Sequence, residues 1–435
     1  MIVLLVICLV LTGLLRSSAF VLGNGVVLVT AAPGETTWES TFTGGRGVLP
    51  RNSGSRSLGC KPCRKEGQGE RGGLSMLLKR KLRKRRNSSG DFFVDESCLD
   101  CDICCWMDPR TFERSGLGAV VASQPRTEED RMKAFQAMMA CPAGSIRVMR
   151  PDKRVVEALE SFPLAVDEER LPGVYQLAPT TRASMGNTPY LIVRPGKGNI
   201  MIDVPRYLHK TAEQVAALGD VKYMIVTARE NADAGHERWK EKFPDMIRIL
   251  HRLDLARRTR IMEERLDGKG PWYLVEDGYE SPEDGYVTGD TARFDFIEVD
   301  DEDCAPYDPM VKIVGLPGQT RGSIGVILEL GERKGDAGVV ERERVCFSGG
   351  TVGFSVSKQK LDTYTRTLET DKSTLASSVR LLAQEEITWL MPGRGARVMY
   401  KNAQEGKADL ESAADRTVAV PDLSGNGMLF GSNLL

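Results

Sequence analysis

The chain has 435 residues, 41% of them hydrophobic and 27% charged, a composition typical of a globular protein with two or three domains. Its formal net charge of −1 excludes a whole-protein field that would favour nucleic acid or a membrane surface. There are ten cysteines and three histidines. A chain this long needs no disulfide scaffold, and the clustering of cysteines between Cys98 and Cys141 indicates metal ligation instead.

The first 90 residues have the character of a targeting sequence. Residues 1–19 form a signal-like segment, because the apolar run 2–15 has the length of a signal core and is too short for a membrane span. Residues 20–90 form a transit-like low-complexity region rich in Gly, Ser, Thr, Lys and Arg, and the basic block 79–86 is interpreted as part of it. The Ser-Ala-Phe junction at 18–20 resembles the two-part presequences of algae with complex plastids. That resemblance implies a location in the plastid stroma, and the secretory pathway is the alternative.

Residues 91–150 are predicted to be the first folded domain, and they carry the most specific chemical signal. Cys98, Cys101 and Cys104 stand at two-residue spacing, and Cys141 is followed by Pro142. A tight loop with this spacing can supply three thiolates to a [4Fe–4S] cluster, and the fourth must come from elsewhere. We therefore predict that these four cysteines ligate one cluster. A zinc site, which typically uses two separated Cys-x-x-Cys pairs, and unligated core thiols are the alternatives.

At these residues the segment resembles the single-cluster, bacterial-type ferredoxins. A strand is expected at 92–94, a helix from Thr127 that ends at Cys141, and a returning strand at 145–149. Cys105 is interpreted as a packing or near-cluster thiol. Three acids lie near the loop and either lower the potential of a cluster or form a solvated face: Asp100, Asp102 and Asp108.

The rest of the chain is predicted to contain a linker at 151–170, an α/β domain at 171–400 and a mobile tail at 401–435. Strands are expected at 190–193, 199–203, 223–227, 247–250, 311–314, 324–328, 344–348 and 387–391. Helices are expected at 212–218, 236–243 and 372–384.

Several stretches of this larger domain resemble the metallo-β-lactamase superfamily in order and spacing. They are residues 187–193 with 199–203, 224–227, 316–323, 347–350 and 390–395. The resemblance implies an α/β fold, an αβ/βα sandwich with two mixed sheets between helical layers, preceded here by the small α+β ferredoxin-like domain. The combination resembles a small family of plant and algal proteins whose function is poorly defined.

The positions that bind two metals in the hydrolases of this superfamily are altered. Ala228 and Glu230 occupy the first two histidine positions, Gln319 and Arg394 stand where later histidines are expected, and Gly350 stands where the bridging aspartate is expected. Ala and Gly cannot ligate a metal and Arg is a cation, so the usual binuclear-zinc hydrolysis is expected to fail. Zinc or iron is therefore not expected in this domain, which would make it a pseudoenzyme.

Two weaker sites remain in the larger domain. Glu230, Asp233 and His236 stand at three-residue spacing and could form an atypical metal site, whereas the simpler interpretation is a helix start with a surface histidine. Arg321 and Arg394 are candidate anion contacts in the expected cleft. The other histidines, His209 and His251, are interpreted as surface or packing residues.

The predicted function is electron transfer or redox sensing through one [4Fe–4S] cluster, with the lactamase-like domain as a binding scaffold. The expected partners are a redox protein or a small anionic ligand, without nucleic acid and without a stable membrane span in the mature protein. One alternative is a hydrolase or redox enzyme with an atypical metal site. The other is a structural or interaction protein whose cluster only stabilises the fold.

Overall fold

The computed structural model describes residues 84–116, 118–232, 235–257, 259–274, 311–330, 343–365 and 369–419. It also gives the backbone of the strands Ser17–Leu22, Gly25–Thr30, Phe296–Glu298, Arg333–Lys334 and Val340–Glu341. The chain divides into two compact units, Met1–Arg71 and Gly72–Leu435. In the first unit, the two described strands pair as an antiparallel hairpin. Most of the predicted targeting sequence, and Asp233, lie outside the described residues.

The ferredoxin-like part of the second unit is small and built from short elements. Its strands are Phe92–Val94 paired with Ile146–Val148, and Phe112–Arg114 paired with Ala119–Val121. Its helices are Ile103–Met107 and Glu128–Ala140. The longer helix begins as predicted, because the Thr127 hydroxyl accepts a hydrogen bond from the Asp130 amide at 3.0 Å. The rings of Phe92 and Phe135 pack 4.9 Å apart in the core beside it.

The segment predicted to be a linker is structured. It contains the helix Arg154–Glu160 and the strand Leu164–Ala165. That strand pairs with Val174–Gln176 and so becomes the edge of a larger sheet. The sequence predicts one helical turn in this linker, which agrees with the helix, but it does not indicate the strand, because two residues are too few to show an alternating pattern.

Two seven-stranded mixed sheets form the larger part. The first runs, in order, Glu264–Leu266, Ile247–His251, Val221–Ile225, Asn199–Ile202, Tyr190–Ile192, Val174–Gln176 and Leu164–Ala165. The second runs Phe296–Glu298, Trp272–Leu274, Val311–Gly315, Ile324–Glu329, Arg344–Gly349, Trp389–Pro392 and Val398–Met399. Each of the strands predicted for this part is present, with bounds shifted by one or two residues. A further hairpin joins Val352–Ser355 to Lys360–Thr363.

The sheets face each other across one apolar core, and helices cover their outer faces. The shared core contains Ile200 and Ile225 of the first sheet and Val326 and Phe347 of the second. Helices His209–Ala217 and Gly235–Lys242 pack on the first sheet, and helices Lys372–Leu382 and Ala403–Ala419 pack on the second. This is the αβ/βα sandwich with mixed sheets that the sequence predicts.

The prediction of a mobile tail from residue 401 is wrong up to residue 419. Helix Ala403–Ala419 buries Leu410, Ala413 and Ala414 against the neighbouring helix and sheet. Its apolar residues are mostly alanines, which gave a weak apolar pattern in a polar segment. Among the described residues, none of the helices is long and apolar enough to cross a membrane.

Candidate metal centre and the adjoining cleft

Cys98, Cys101, Cys104 and Cys141 line a single pocket. Cys104 lies in helix Ile103–Met107, and Cys141 is the residue at which helix Glu128–Ala140 ends. Apolar side chains complete the wall: Val94, Leu99, Ile103 and Ala119. The loop and the longer helix thus bring together the four cysteines that the spacing singled out.

Two aspartates shape the cysteine loop through their backbone. Asp100 and Asp102 have φ angles of 58° and 68°, in the left-handed region that Asp tolerates better than most residues. These two left-handed residues flank Cys101, and Asp102 directly precedes the short helix that carries Cys104. Asp100 also forms an ion pair with Arg114. Asp108 is only 2% exposed, so the interpretation of this acid as part of a solvated face is wrong.

The electrostatics of the pocket disfavour free thiolates. Burial raises the pKa of the Cys101 thiol, and the nearby Cys141 raises it further. The side-chain hydrogen bond that Cys104 forms with Cys105, followed by burial, raises the pKa of Cys104 well above its usual range. A group of buried sulfur donors is stabilised as thiolates by a cationic iron core, so the donor set fits a cluster. The Ser145 amide donates a hydrogen bond to Cys141 Sγ at 3.4 Å.

The four cysteines share one pocket, although they do not form a site for a single metal ion. Among the described residues, no three His, Cys, Asp or Glu side chains are close enough together to hold a metal ion. The four thiols instead surround a shared space. A cluster keeps its four sulfur ligands farther apart than a single tetrahedral ion does, because iron and sulfide atoms lie between them.

A larger cleft, with about 1040 Å³ of empty space, adjoins this pocket. One wall is the cysteine loop from Leu99 to Asp102, together with Arg114. The opposite wall comes from the lactamase-like part: Gly350, Gly353, Phe354, Tyr364, Arg394 and Gly395. Cys101 lines both the cysteine pocket and the cleft. The cleft therefore ends directly at one of the candidate cluster ligands.

Arg394 is held tightly inside the cleft. Its Nη1 donates to the Met185 carbonyl at 3.0 Å, and its Nη2 donates to the Ser184 carbonyl at 2.7 Å. Its guanidinium carbon lies 4.1 Å from the centroid of the Tyr364 ring. Burial lowers the pKa of this arginine. Both terminal nitrogens thus bind the protein's own backbone.

The altered positions of the lactamase-like part converge beside Arg394. Gln319 Nε2 donates to Glu230 Oε2 at 3.2 Å. A Cβ on Gly350 would lie 2.3 Å from Gln319 Oε1, so a side chain at this position would require the end of the Gln319 side chain to shift. Burial raises the pKa of Glu230, and the positive charge of Arg394 acts in the opposite direction. A polar cluster of one acid, one amide and one cation occupies this place.

The cysteine segment matches a known protein family. Residues 94–148 match the model of the 4Fe-4S single cluster domain of Ferredoxin I. These residues are thus similar to a ferredoxin-type 4Fe-4S domain. The match spans all four cysteines of the pocket, and it agrees with the predicted resemblance. Among curated proteins, none matches the chain significantly.

The chain is also similar to solved structures of the metallo-β-lactamase fold. ETHE1 from Myxococcus xanthus is 15% identical, with 58% of this chain and 93% of that chain covered at a TM-score of 0.34. A metallo-β-lactamase superfamily protein from Sulfolobus tokodaii is 11% identical, with 60% and 91% covered at a TM-score of 0.35. A B3 metallo-β-lactamase with an active-site glutamic acid is 14% identical, with 62% and 93% covered at 0.34. The fold assignment rests on the sheet order and packing described above.

The weaker second metal site does not assemble from its described members. Glu230 bonds to Gln319 in the cleft, whereas His236 Nδ1 accepts a hydrogen bond from Arg248 Nη1 at 3.0 Å. A ring nitrogen that accepts from a guanidinium is not available to a metal ion. His236 is fully buried, so its interpretation as a surface histidine is wrong. His209 is exposed and His251 packs against Trp272, as predicted for these two.

The two candidate anion contacts lie in different surroundings. Arg394 lines the cleft, but Arg321 is exposed and is not one of its lining residues. The prediction for Arg321 is therefore wrong. The other cleft cations, Arg114 and Lys358, form ion pairs with Asp100 and Asp362.

The contact between the ferredoxin-type domain and the sandwich involves residues that sequence reasoning missed. Thr180 Oγ1 donates to the Ala140 carbonyl at 2.7 Å, and the Arg397 guanidinium lies 5.1 Å from the centroid of the Trp106 ring. A Cβ on Gly186 would lie 2.8 Å from Cys101 Cβ. The residues of each pair are distant in sequence. The only local feature that could have indicated this contact is the Met-Gly step at residues 185–186.

Proposed function

We propose that this chain is an iron–sulfur redox protein that binds one [4Fe–4S] cluster at Cys98, Cys101, Cys104 and Cys141. Its lactamase-like domain would act as the scaffold that binds a redox partner or ligand beside the cluster. The observation that carries the proposal is the position of Cys101, which lines both the cysteine pocket and the cleft of about 1040 Å³. When bound, the cluster supplies one-electron transfer.

The residues of this chain would position the reaction rather than perform it. The loop around Cys101 would place one ligand of the cluster at the end of the cleft. The apolar wall of the pocket, with Val94, Leu99 and Ile103, would exclude water from the other ligands. The cleft wall around Phe354 and Tyr364 would receive whatever donates or accepts the electron.

The hydrolase alternative is less well supported. Gln319, Glu230 and Arg394 interact with one another where the superfamily's hydrolases hold metals, and Gly350 offers no ligand. A cation at this place would repel a second metal ion. The proposal that the sandwich serves as a scaffold therefore includes the loss of the usual metal ligands.

The first test is the metal content of the purified protein. Anaerobic protein should contain about four iron atoms and four acid-labile sulfides per chain, and reduction with dithionite should produce an EPR signal of a [4Fe–4S] cluster. The Cys104→Ser variant should lose both iron and sulfide. Stoichiometric zinc in place of iron would contradict the proposal. A cluster that dithionite and an oxidant cannot cycle would favour the purely structural role.

The second test concerns the cleft. Ser355 lines it, whereas Ser357 lies two residues further along and is exposed outside it. A Ser355→Trp variant should slow reoxidation of the reduced protein by a soluble redox mediator several-fold. The Ser357→Trp variant is the matched control and should behave as the wild type. Equal rates in all three proteins would refute the cleft as the route for electrons.

A further inference from the structure

The residue at the expected position of the last metal-binding histidine, Arg394, is connected to the cysteine pocket through one short segment. Its two terminal nitrogens bind the carbonyls of Ser184 and Met185 at 2.7 and 3.0 Å. The next residue, Gly186, lies against Cys101. We propose that Arg394 is a positioning residue for the cluster. It holds segment 184–186 closed over Cys101, so the burial and retention of the cluster depend on it.

The geometry of Arg394 is suited to this task. The guanidinium is planar and always charged, and it donates two hydrogen bonds in a fixed fork to successive carbonyl groups. Stacking on Tyr364 at 4.1 Å fixes the plane of the fork. Charge-assisted bonds of this kind are stronger than bonds between neutral groups.

The segment that Arg394 holds is strained and needs support. Met185 and Gly186 have φ angles of 54° and 83°, so two successive residues adopt the left-handed region. For a residue such as Met185 this conformation is costly and persists only where surrounding contacts fix it. Local bonds help, because the Gly186 amide donates to the Thr181 carbonyl at 3.1 Å. The carbonyl of Met185 is one of the two carbonyl groups that Arg394 binds.

Gly186 closes the pocket with its backbone. A Cβ at this position would lie 2.8 Å from Cys101 Cβ, 3.1 Å from Cys101 Sγ and 3.0 Å from Pro142 Cγ. The backbone of Gly186 therefore packs directly on two segments that carry candidate ligands. A side chain here would push the segment away from the thiols, and so would the loss of the bonds that hold it.

The inference requires a cluster at the four cysteines but not the electron exchange with the cleft proposed above. Four thiolates give the bound cluster a net negative charge, and an added electron increases it. Water stabilises the more highly charged state, so opening the segment should raise the reduction potential. Removal of a nearby positive charge should instead lower the reduction potential. An Arg→Lys substitution keeps the charge and removes the fork, so it separates positioning from charge.

The test compares Arg394→Lys with Arg321→Lys, a matched control at an exposed position outside the cleft. In an anaerobic assay with an iron chelator, Arg394→Lys should release its iron at least about tenfold faster than the wild type, a ratio that corresponds to about 1.4 kcal/mol. Its potential should rise in a redox titration followed by EPR. The control should match the wild type in both measurements.

Gly186→Ala acts on the same contact from the other side and keeps Arg394 intact. Gly186→Ala should also release iron faster than the wild type. The double variant with Arg394→Lys should accelerate iron release by less than the product of the two single accelerations, because both substitutions open the same segment. The proposal is overturned if Arg394→Lys or Gly186→Ala shows the wild-type release rate, or if both arginine variants change alike. Wild-type protein without iron and sulfide would overturn this proposal and the proposed function together.

Discussion

The buried carboxylate of Asp203 leads to a specific expectation for the pH dependence of stability. Asp203 lies at the end of strand Asn199–Ile202, where its side chain is 2% exposed. It accepts hydrogen bonds from the Thr227 amide at 2.8 Å and from Asn187 Nδ2 at 2.6 Å. Burial outweighs these bonds and raises the pKa of Asp203 from 3.8 to about 6.

The sign of the effect follows from this order of pKa values. The folded state binds the proton more tightly than the unfolded state, so this group adds stability at low pH. That contribution is complete below about pH 4 and is lost as the pH rises through about 6. The difference between 3.8 and about 6 corresponds to about 3 kcal/mol, at 1.36 kcal/mol for each pH unit.

The assay is urea unfolding of the wild type and of Asp203→Asn at pH values from 4 to 8, under anaerobic conditions. Subtracting one protein from the other at each pH removes the contributions of the cluster and of all other groups. The free energy of unfolding of the wild type, relative to the variant, should fall by about 2 kcal/mol from pH 4 to pH 7, which is most of the full difference. A flat difference would refute the raised pKa.

Asp371 provides a control, because its contribution to the free energy of unfolding should change with pH in the opposite direction. This carboxylate caps helix Lys372–Leu382 and accepts from the Ser373 and Thr374 amides, which together with the Thr374 hydroxyl lower its pKa. The free energy of unfolding of the wild type relative to Asp371→Asn should therefore rise with pH through the acid range. If the relative free energy of unfolding changes with pH in the same direction for both variants, the reasoning is wrong for at least one of the two sites.

Three further results are expected. Cys105→Ser should retain its iron and sulfide while Cys104→Ser loses them, as metal analysis of both variants will show. Thr127→Ala removes the cap of helix Glu128–Ala140 and should lower the free energy of unfolding in urea by about 1 kcal/mol. Glu343→Ala removes a buried acid that Arg170 binds at 2.5 Å, and it should cost about 3 kcal/mol in the same experiment. A variant of Glu343 as stable as the wild type would contradict the importance of that ion pair.

Local patterns in the sequence were sufficient for the longer sheet strands, for helix Glu128–Ala140 and for the cysteine pocket. The capping of Thr127 and the apolar runs of the sheet strands depend on residues that are neighbours in the chain, so spacing alone predicts them. The spacing from Cys98 to Cys104 likewise specified a loop of thiols, and residues 94–148 match the corresponding family. The fourth cysteine, Cys141, was predicted from the Cys-Pro step at residues 141–142, and it lies where helix Glu128–Ala140 ends.

Buried polar residues were predicted less well, because their partners are distant in the chain. His236 was interpreted as a surface residue, but it is buried against Arg248. Arg321 and Arg394 carry the same charge in similar Gly-rich segments, yet one is exposed and the other is held in the cleft. Residue type and spacing do not distinguish such cases, since burial depends on what the rest of the fold places nearby.

The sequence by itself determined the spacing of four thiols that can ligate a cluster, and it predicted that the metal positions of the larger domain are altered. Only the tertiary structure decided that these two features meet. Arg394 and the Met185 carbonyl are 209 residues apart in the chain, and Cys101 reaches the cleft only because the ferredoxin-type domain packs against the sandwich. Contacts over such separations follow from the packing of whole sheets and helices, and no local pattern in the sequence encodes them.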